Sequence, residues 1–413
     1  MGIILNKAEL LESNSKLRGD ALEILEAGLE AVNTEKILKN KIILNEGVLG
    51  VDGENFNLKS FERIFFVGIG KCALEGARVL EDILGDYLTE GAVIDVHEIA
   101  DAKVLASRGK IRYFQGTHPY PSEQNIEATK QILEMVQNLT EKDLVVTLIS
   151  GGGSALFDLP DEAATAKLGL PGETSLETVI RVTKELTAKG ADIYELNAVR
   201  KKMSQVKGGK FAEICHPAPM VSLIFSDVLG NDISVIASGP TILDTPTEEV
   251  KNILLASNHD ALVAMKIKAE EFGYKTSIET EKLSGNASEM GKELALRESQ
   301  SKTCILFGGE TTVRVPQNHG IGGRNQEMAL SALLYISLDS VLICASSDGW
   351  DNTDCAGAIA DAELFQKTKA MGISPEQFLM HGDSYNFFKQ IGGAIYTGKL
   401  GSNVSDLYIM LYK

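Results

Sequence analysis

The chain has 413 residues, 44% of them hydrophobic and 23% charged, which is ordinary for a globular protein and excludes disordered, collagen-like and coiled-coil classes. At about 150 residues per domain the length predicts two to three domains, with core enough to fold without disulfide or metal staples. A net charge of −17 repels phosphate backbones and anionic headgroups, so neither nucleic acid nor a membrane surface is an expected partner.

The N-terminus reaches Glu9 too early for a signal peptide, and no apolar run approaches the ~18 residues of a membrane span, so a cytoplasmic location is expected. Five widely spaced cysteines with no C-x-x-C pair fit reduced thiols. Leu22, Leu25, Leu29 and Val32 mark one face of a helix beginning near Arg18. Ile64–Val67 reads as a buried strand running into Gly68-Ile69-Gly70-Lys71 and a helix over 73–84. The strand–glycine–helix context resembles a dinucleotide fingerprint, but the ribose-binding acid is not in place, because Asp95 falls inside the next strand, Val93–Val96. What remains is a helix N-terminus with Lys71 beside it, a seat for phosphate or carboxylate.

Leu144–Ile149 is the next strand, followed by Ser150-Gly151-Gly152-Gly153-Ser154. Three consecutive glycines mark a place where backbone approaches a ligand, or a plain flexible turn. Arg200, Lys201, Lys202, Lys207 and Lys210, with Gly208-Gly209, invert the acidic background locally. Both an anion-binding face and a solvated charged face remain open. Val221–Phe225 leads into Ser226-Asp227, and a boundary is expected near residue 245, between Gly239-Pro240 and Pro246.

Beyond it, helices are expected over 262–272 and 286–297, then a strand at Ile305–Phe307. Gly320-Ile321-Gly322-Gly323-Arg324-Asn325 feeds a helix over 328–334, with Arg324 placed for bidentate anion recognition. After the strand Val341–Ala345, Asp348, Asp351 and Asp354 form either a Mg²⁺ site or a set of turn-forming aspartates, with Trp350 among them as a pocket wall or core residue. The histidines (His97, His118, His216, His259, His319 and His381) lack zinc spacing, and His118 reads as a structural or substrate hydrogen-bonder. Apolar strands alternating with helices predict an α/β, doubly wound fold with parallel sheets, in two domains spanning residues 1–245 and 246–413. Ligands in such sheets sit at the carboxyl ends of the strands.

A dozen motifs in order resemble the glycerate 2-kinase family, whose C-terminal half is the MOFRL domain. They include Val67–Lys71, Gly116–Pro119, Ile149–Ala155, Asn197–Ser204, Lys207–Lys210, Ser226–Val228, Ile236–Thr241, Gly308–Thr311, Gly322–Glu327, Ser347–Gly349 and Asp383–Tyr385. The resemblance implies a Rossmann-like N-terminal domain, a MOFRL-type C-terminal domain with its own largely parallel sheet, and an active site in a cleft between them. It implies ATP- and Mg²⁺-dependent phosphorylation of D-glycerate at the 2-hydroxyl; whether the protein is a monomer or a homodimer is left open.

By the same resemblance Lys71 and Arg324 are the principal charged residues, and Gly70 and Ser150–Ser154 hold phosphate. Asn197 and Arg200 position the substrate. Apart from the resemblance, Lys207, Gly208, Gly322 and Asn325 are expected to complete the binding set, Asp348, Asp351 and Asp354 are the candidate metal ligands, and Asp227 and Asp351 are the two candidates for the base. The chain departs from the family pattern at Asp348–Asp354, which lacks a Gly-Pro, and at Thr397–Val404. Two other classes are weighed on the residues: a nicotinamide-dependent hydroxypyruvate reductase, on the Gly68-x-Gly70-x-x-Ala73 fingerprint, and a non-catalytic small-anion sensor. Lys71→Ala and Arg324→Ala are each expected to cut turnover by orders of magnitude with the thermal melt nearly unchanged.

Overall fold

The structure is a computed structural model that describes residues 2–12, 15–97 and 109–413. The chain divides into two compact units, Thr34–Ala256 and Ser257–Lys413, the latter joined by the segment up to Asn33. The division expected near residue 245 therefore falls later, and the first long helix belongs to the C-terminal unit.

Both differences have physical causes. The strand Val250–Ala256 pairs with Met220–Phe225 and keeps the chain in the first sheet past the prolines. The helix Lys16–Ala31 packs on the helix Asn258–Glu271, where a Cβ on Gly28 would lie 2.6 Å from Met265 Cγ. Arg18 anchors it further, with Nε and Nη2 donating to the two oxygens of buried Asp361 at 2.7 and 2.8 Å.

The unit Thr34–Ala256 opens with a small antiparallel sheet of β1 (Ile42–Asn45), β2 (Val48–Val51) and β3 (Glu54–Asn57). Its main sheet comprises β4 (Arg63–Ile69), β5 (Glu90–Asp95), β6 (Ile111–Gln115), β7 (Asp143–Ile149), β8 (Met220–Phe225) and β9 (Val250–Ala256). The spatial order is β6-β5-β4-β7-β8-β9, with every neighbouring pair parallel. Alternation sends Phe65, Val67, Ile69 and Val145 into one core with Ile132 and Met135 of the helix Glu123–Met135. Leu148, on the opposite face, meets Gly76 of the helix Ala73–Leu84, where a Cβ would clash.

The C-terminal unit carries β10 (Lys275–Leu283), β11 (Thr303–Gly309), β12 (Ser340–Ser346), β13 (Gly357–Asp361), β14 (Ala394–Ile395) and β15 (Asp406–Tyr412), in the order β10-β11-β15-β12-β13-β14. Here the expected largely parallel pairing is corrected. Only β10–β11 is parallel, and the other four pairings are antiparallel, because β15 inserts between β11 and β12 and β13 returns beside β12. Strands buried on both faces read as apolar runs whatever their direction, so the sequence pattern does not carry this distinction. Among the described residues no helix is long and apolar enough to cross a membrane.

Candidate active site

The first sheet reverses its strand order at β4. The chain passes to β5 and β6 on one side, then returns to β7 on the other, which makes the carboxyl ends of β4 and β7 a topological switch point, where ligands bind in open α/β sheets. The two predicted glycine loops meet there. Ser150 N donates to Ile69 O at 2.9 Å and Lys71 N to Gly151 O at 3.0 Å. A Cβ on Gly70 would collide with Ser150, so the two loops are in close contact.

Gly152 takes φ +84°, and a Cβ there would lie 3.2 Å from Lys71 Cγ and 3.4 Å from His118 Cδ2. Lys71, His118 and the Gly151–Gly153 backbone thus come together, from three separate stretches of sequence. Asp227, on the loop after β8, belongs to the same sheet edge, since its charge reaches the Cys72 thiol. Burial, with smaller contributions from Asp95 and Asp227, pushes that thiol up to about 12.

Asp95 is the last residue of β5, not an interior one. Its carboxylate accepts from Leu74 N at 2.9 Å and from Val96 N at 2.6 Å, and pairs with His97 Nδ1 at 2.7 Å. It occupies the amide end of the helix Ala73–Leu84, so that terminus already holds an anion of the protein's own. This also engages the acid that ends β5, at the position where a dinucleotide site needs a ribose ligand.

Around the glycine loops a second layer forms. Ser154 Oγ lies 2.8 Å from Ser238 Oγ, which donates to Asn197 Oδ1 at 2.8 Å, while Asn197 Nδ2 donates to Val235 O at 3.1 Å. Asn197 is buried and fixes this chain. Ala237, Ser238 and Gly239 take φ of 51°, 62° and 59°, a left-handed run costly for residues with a Cβ, and such strain concentrates at functional sites. Ser238 was not among the expected site residues, though Ile236–Thr241 was among the matching motifs. Gly208 N and Gly209 N donate to Ser238 O and Gly239 O at 3.0 and 2.8 Å, bracing that run.

Lys207 is placed differently from expectation. It is completely buried, with Nζ 2.6 Å from Asp158 Oδ1 and 3.2 Å from Phe157 O. Burial lowers its pKa below the usual lysine value, opposed by Asp158. Its ammonium is committed within the fold and clamps the loop. Lys210 Nζ likewise donates to the carbonyls of Lys201, at 2.9 Å, and Ser204. Arg200 is half-buried; burial lowers its pKa, with Asp158 and Tyr120 acting against the shift.

In the C-terminal unit, Arg324 begins the helix Arg324–Leu333. Its Nε donates to Asp406 Oδ2 at 2.5 Å, Nη2 to Asp406 Oδ1 at 3.2 Å, and Nη1 to Glu310. Burial works against its charge, and Asp406 and Glu310 outweigh burial, holding the guanidinium protonated more firmly than usual.

The three aspartates do not form a common metal cage. Asp351 is buried, and its Oδ1 accepts from Asn325 N and Nδ2 at 3.1 and 3.2 Å, its Oδ2 from Gln326 N and Nε2 at 2.8 and 3.0 Å. From a separate loop it caps first-turn amides of the helix Arg324–Leu333 with both oxygens engaged, unlike the open carboxylate expected of a base or metal ligand. Asn325 holds that cap with its amide and so is not a free phosphate ligand. Asp348 Oδ1 accepts from Ser346 Oγ and Trp350 N, and exposed Asp354 bonds Tyr385. Among the described residues no group of three or more His, Cys, Asp or Glu side chains is placed to hold a metal ion.

Gly322 and Gly323 also have internal reasons, since a Cβ would strike Ser384 Oγ at the first and Asp351 at the second. Trp350 is 46% exposed with Lys399 over its ring, so it is not core. Sequence reasoning missed Glu327, half-buried in the helix's first turn. Burial, then Asp351, raises its carboxyl to about 7.

The sequence matches the family described as Domain of unknown function (DUF4147) over residues 20–269, and the MOFRL family over residues 303–406. A D-glycerate 2-kinase of Thermotoga maritima is 35% identical, over 97% of this chain and 99% of the relative. A glycerate 2-kinase of Pyrococcus horikoshii is 33% identical, over 98% of this chain and 97% of its own. The crystal structure of a glycerate kinase from Thermotoga maritima superposes with a TM-score of 0.80 at 34% identity, covering 97% of this chain and 100% of that one. With its ordered motifs, its switch-point glycine loops and this full-length likeness, the chain belongs to the glycerate 2-kinase family.

Proposed function

We propose that the protein transfers the γ-phosphoryl group of ATP to the 2-hydroxyl of D-glycerate, giving 2-phosphoglycerate and ADP. The observation that carries this reading is the seating of Lys71 against Gly152 and His118 at the switch point. Phosphoryl transfer asks little covalent chemistry of a protein. It needs the attacking and leaving oxygens held in line and cations on the transferring oxygens. Lys71 supplies the cation, and the Gly151–Gly153 amides supply preorganised donors. Arg200 is suited to the glycerate carboxylate, and Asn197 holds Ser238 and through it Ser154. Asp227 takes the hydroxyl proton as the C2 oxygen bonds phosphorus and the β–γ bridging oxygen leaves with ADP.

A three-carboxylate Mg²⁺ cage does not fit the aspartates, because Asp351 has both oxygens engaged by helix amides. Mg²⁺ would instead enter with the nucleotide and supply charge neutralisation at the transferring phosphoryl group. The five buried free thiols suit a cytoplasmic setting.

The test is ADP release with D-glycerate, ATP and Mg²⁺, followed by enolase without mutase. Direct consumption by enolase identifies 2-phosphoglycerate. ADP without an enolase substrate moves the acceptor position, and no ADP with any 2-hydroxy acid overturns the kinase reading.

A further inference from the structure

His118 stands on the loop that leaves β6, and the fold fixes the backbone beneath it. Gly116 N donates to Asp95 O at 2.8 Å, and a Cβ on Gly116 would lie 2.7 Å from Leu156 Cδ2 and 3.2 Å from Ile94 Cδ1. Asn125, wholly buried in the first turn of the helix Glu123–Met135, holds the next residue from both sides. Its Oδ1 accepts from Thr117 N at 2.9 Å, and its Nδ2 donates to Thr117 O at 3.0 Å and to Ala155 O at 2.8 Å. A side-chain amide has two hydrogens to give. Here one goes to the His118 loop and the other to the residue that follows Ser150–Ser154, so one buried side chain ties the two loops together.

The imidazole does not pack the core, since His118 is exposed. A Cβ on Gly152 would lie 3.4 Å from His118 Cδ2 and 3.7 Å from its Nε2, with Lys71 Cγ at 3.2 Å. The Cδ2–Nε2 edge of the ring is thus turned to bare backbone that Lys71 also borders. All of these residues belong to the unit Thr34–Ala256. An ammonium and an imidazole meeting where no side chain intervenes suit a single anion, the first as a point charge and the second as a directed N–H donor.

We propose that His118 is a further catalytic residue, its Nε2–H donating to a non-bridging oxygen of the transferring phosphoryl group at Gly152 and Lys71; the proposal rests on the kinase reading above and deepens it. The hydrogen bond acts as the C2 oxygen bonds phosphorus and the bond to the β–γ bridging oxygen breaks. At that point charge is spread over the three equatorial oxygens, and a donor already in place stabilises it without reorganising. The imidazole keeps its proton throughout, and the hydroxyl proton goes to Asp227.

Steady-state ADP release from ATP, Mg²⁺ and D-glycerate by the full-length protein separates a donor from a base. His118→Gln keeps an N–H donor but has no basic nitrogen, and His118→Ala has neither. His118→Ala is expected to lower kcat roughly 10²-fold, with the KM for D-glycerate within about threefold of wild type. His118→Gln should recover about tenfold or more of that loss. A kcat within about tenfold of wild type in folded His118→Ala overturns the role, and so does a rise in KM alone. Smaller recovery in His118→Gln also overturns it, since a base would behave so.

Thermal melts of both variants should match wild type, because the side chain is exposed. Carbethoxylation by diethyl pyrocarbonate, mapped by mass spectrometry, reads the wild type with no substitution. ADP, Mg²⁺, aluminium fluoride and D-glycerate together should slow modification of His118 roughly tenfold or more, and an unchanged rate overturns the contact. If the wild type releases ADP while His118 fails these tests, the role of His118 alone is wrong. If the wild type releases no ADP with D-glycerate, the kinase reading fails and the role of His118 with it.

Discussion

Arg324 and Asp406 form a forked ion pair, with Nε and Nη2 each donating to one oxygen of a carboxylate that is wholly buried. A residue chosen from sequence as a substrate-facing cation therefore also neutralises a core anion.

This revises the expectation that Arg324→Ala leaves the melt unchanged. The substitution leaves the Asp406 carboxylate with the Tyr408 hydroxyl, 3.3 Å away, in a low-dielectric setting. Breaking a buried pair from one side costs about 3–5 kcal/mol. Urea denaturation should show a loss near the lower end, because Arg324 keeps some exposure, with Arg324→Lys losing less. An unchanged midpoint would show that the pair contributes nothing to stability.

Lys71→Ala should separate activity from stability. Lys71 is half-buried at a loop, so unfolding free energy should move by less than about 1 kcal/mol. Turnover should fall roughly 10²–10³-fold, the usual effect of losing one charge-stabilising donor. A rate within a factor of a few of wild type would remove Lys71 from the phosphate site.

Lys207→Met tests the opposite assignment. Its ammonium is sealed against Asp158, so removing it alone should cost about 3 kcal/mol and the double change with Asp158→Leu should recover part of that. Denaturation of the two single variants and the double variant gives the coupling directly. Little destabilisation, together with a large rise in the KM for D-glycerate, would return Lys207 to the substrate.

Glu327 and Asp351 should make stability depend on pH. Their folded-state values, about 7 and about 6, lie above those of unfolded carboxyls, so the folded chain binds protons that the unfolded chain releases. Their contribution is fully present below the ordinary carboxyl range and is lost as pH rises through about 6 to 7. Thermal melts of Glu327→Gln should gain on wild type from pH 5 to pH 8. A constant difference across that window would mean that Glu327 titrates normally.

Much of the fold was legible in the sequence. The strands at Ile64–Val67, Leu144–Ile149, Val221–Phe225 and Val341–Ala345 all lie inside observed strands, because uninterrupted apolar runs between glycines have few other uses. The hairpins of β1 to β3 were missed although Glu46-Gly47 and Asp52-Gly53 carry the positive φ of tight turns. Helix starts were read several residues late where a polar first turn hides them: Leu262 against Asn258, and Met328 against Arg324.

The sequence by itself determined the α/β class, the glycine loops at Gly68–Lys71 and Ser150–Ser154, and the family, since residue types at short spacing carry those. Only the tertiary structure decided which charges remain for a ligand. Lys207, Arg324 and Asp351 read from sequence as three site groups, yet Asp158, Asp406 and the amides of Asn325 and Gln326 claim their polar atoms. Those partners lie 49, 82 and 25 to 26 residues away along the chain. A buried charge must find its partner wherever the fold brings one, and no local pattern records that separation.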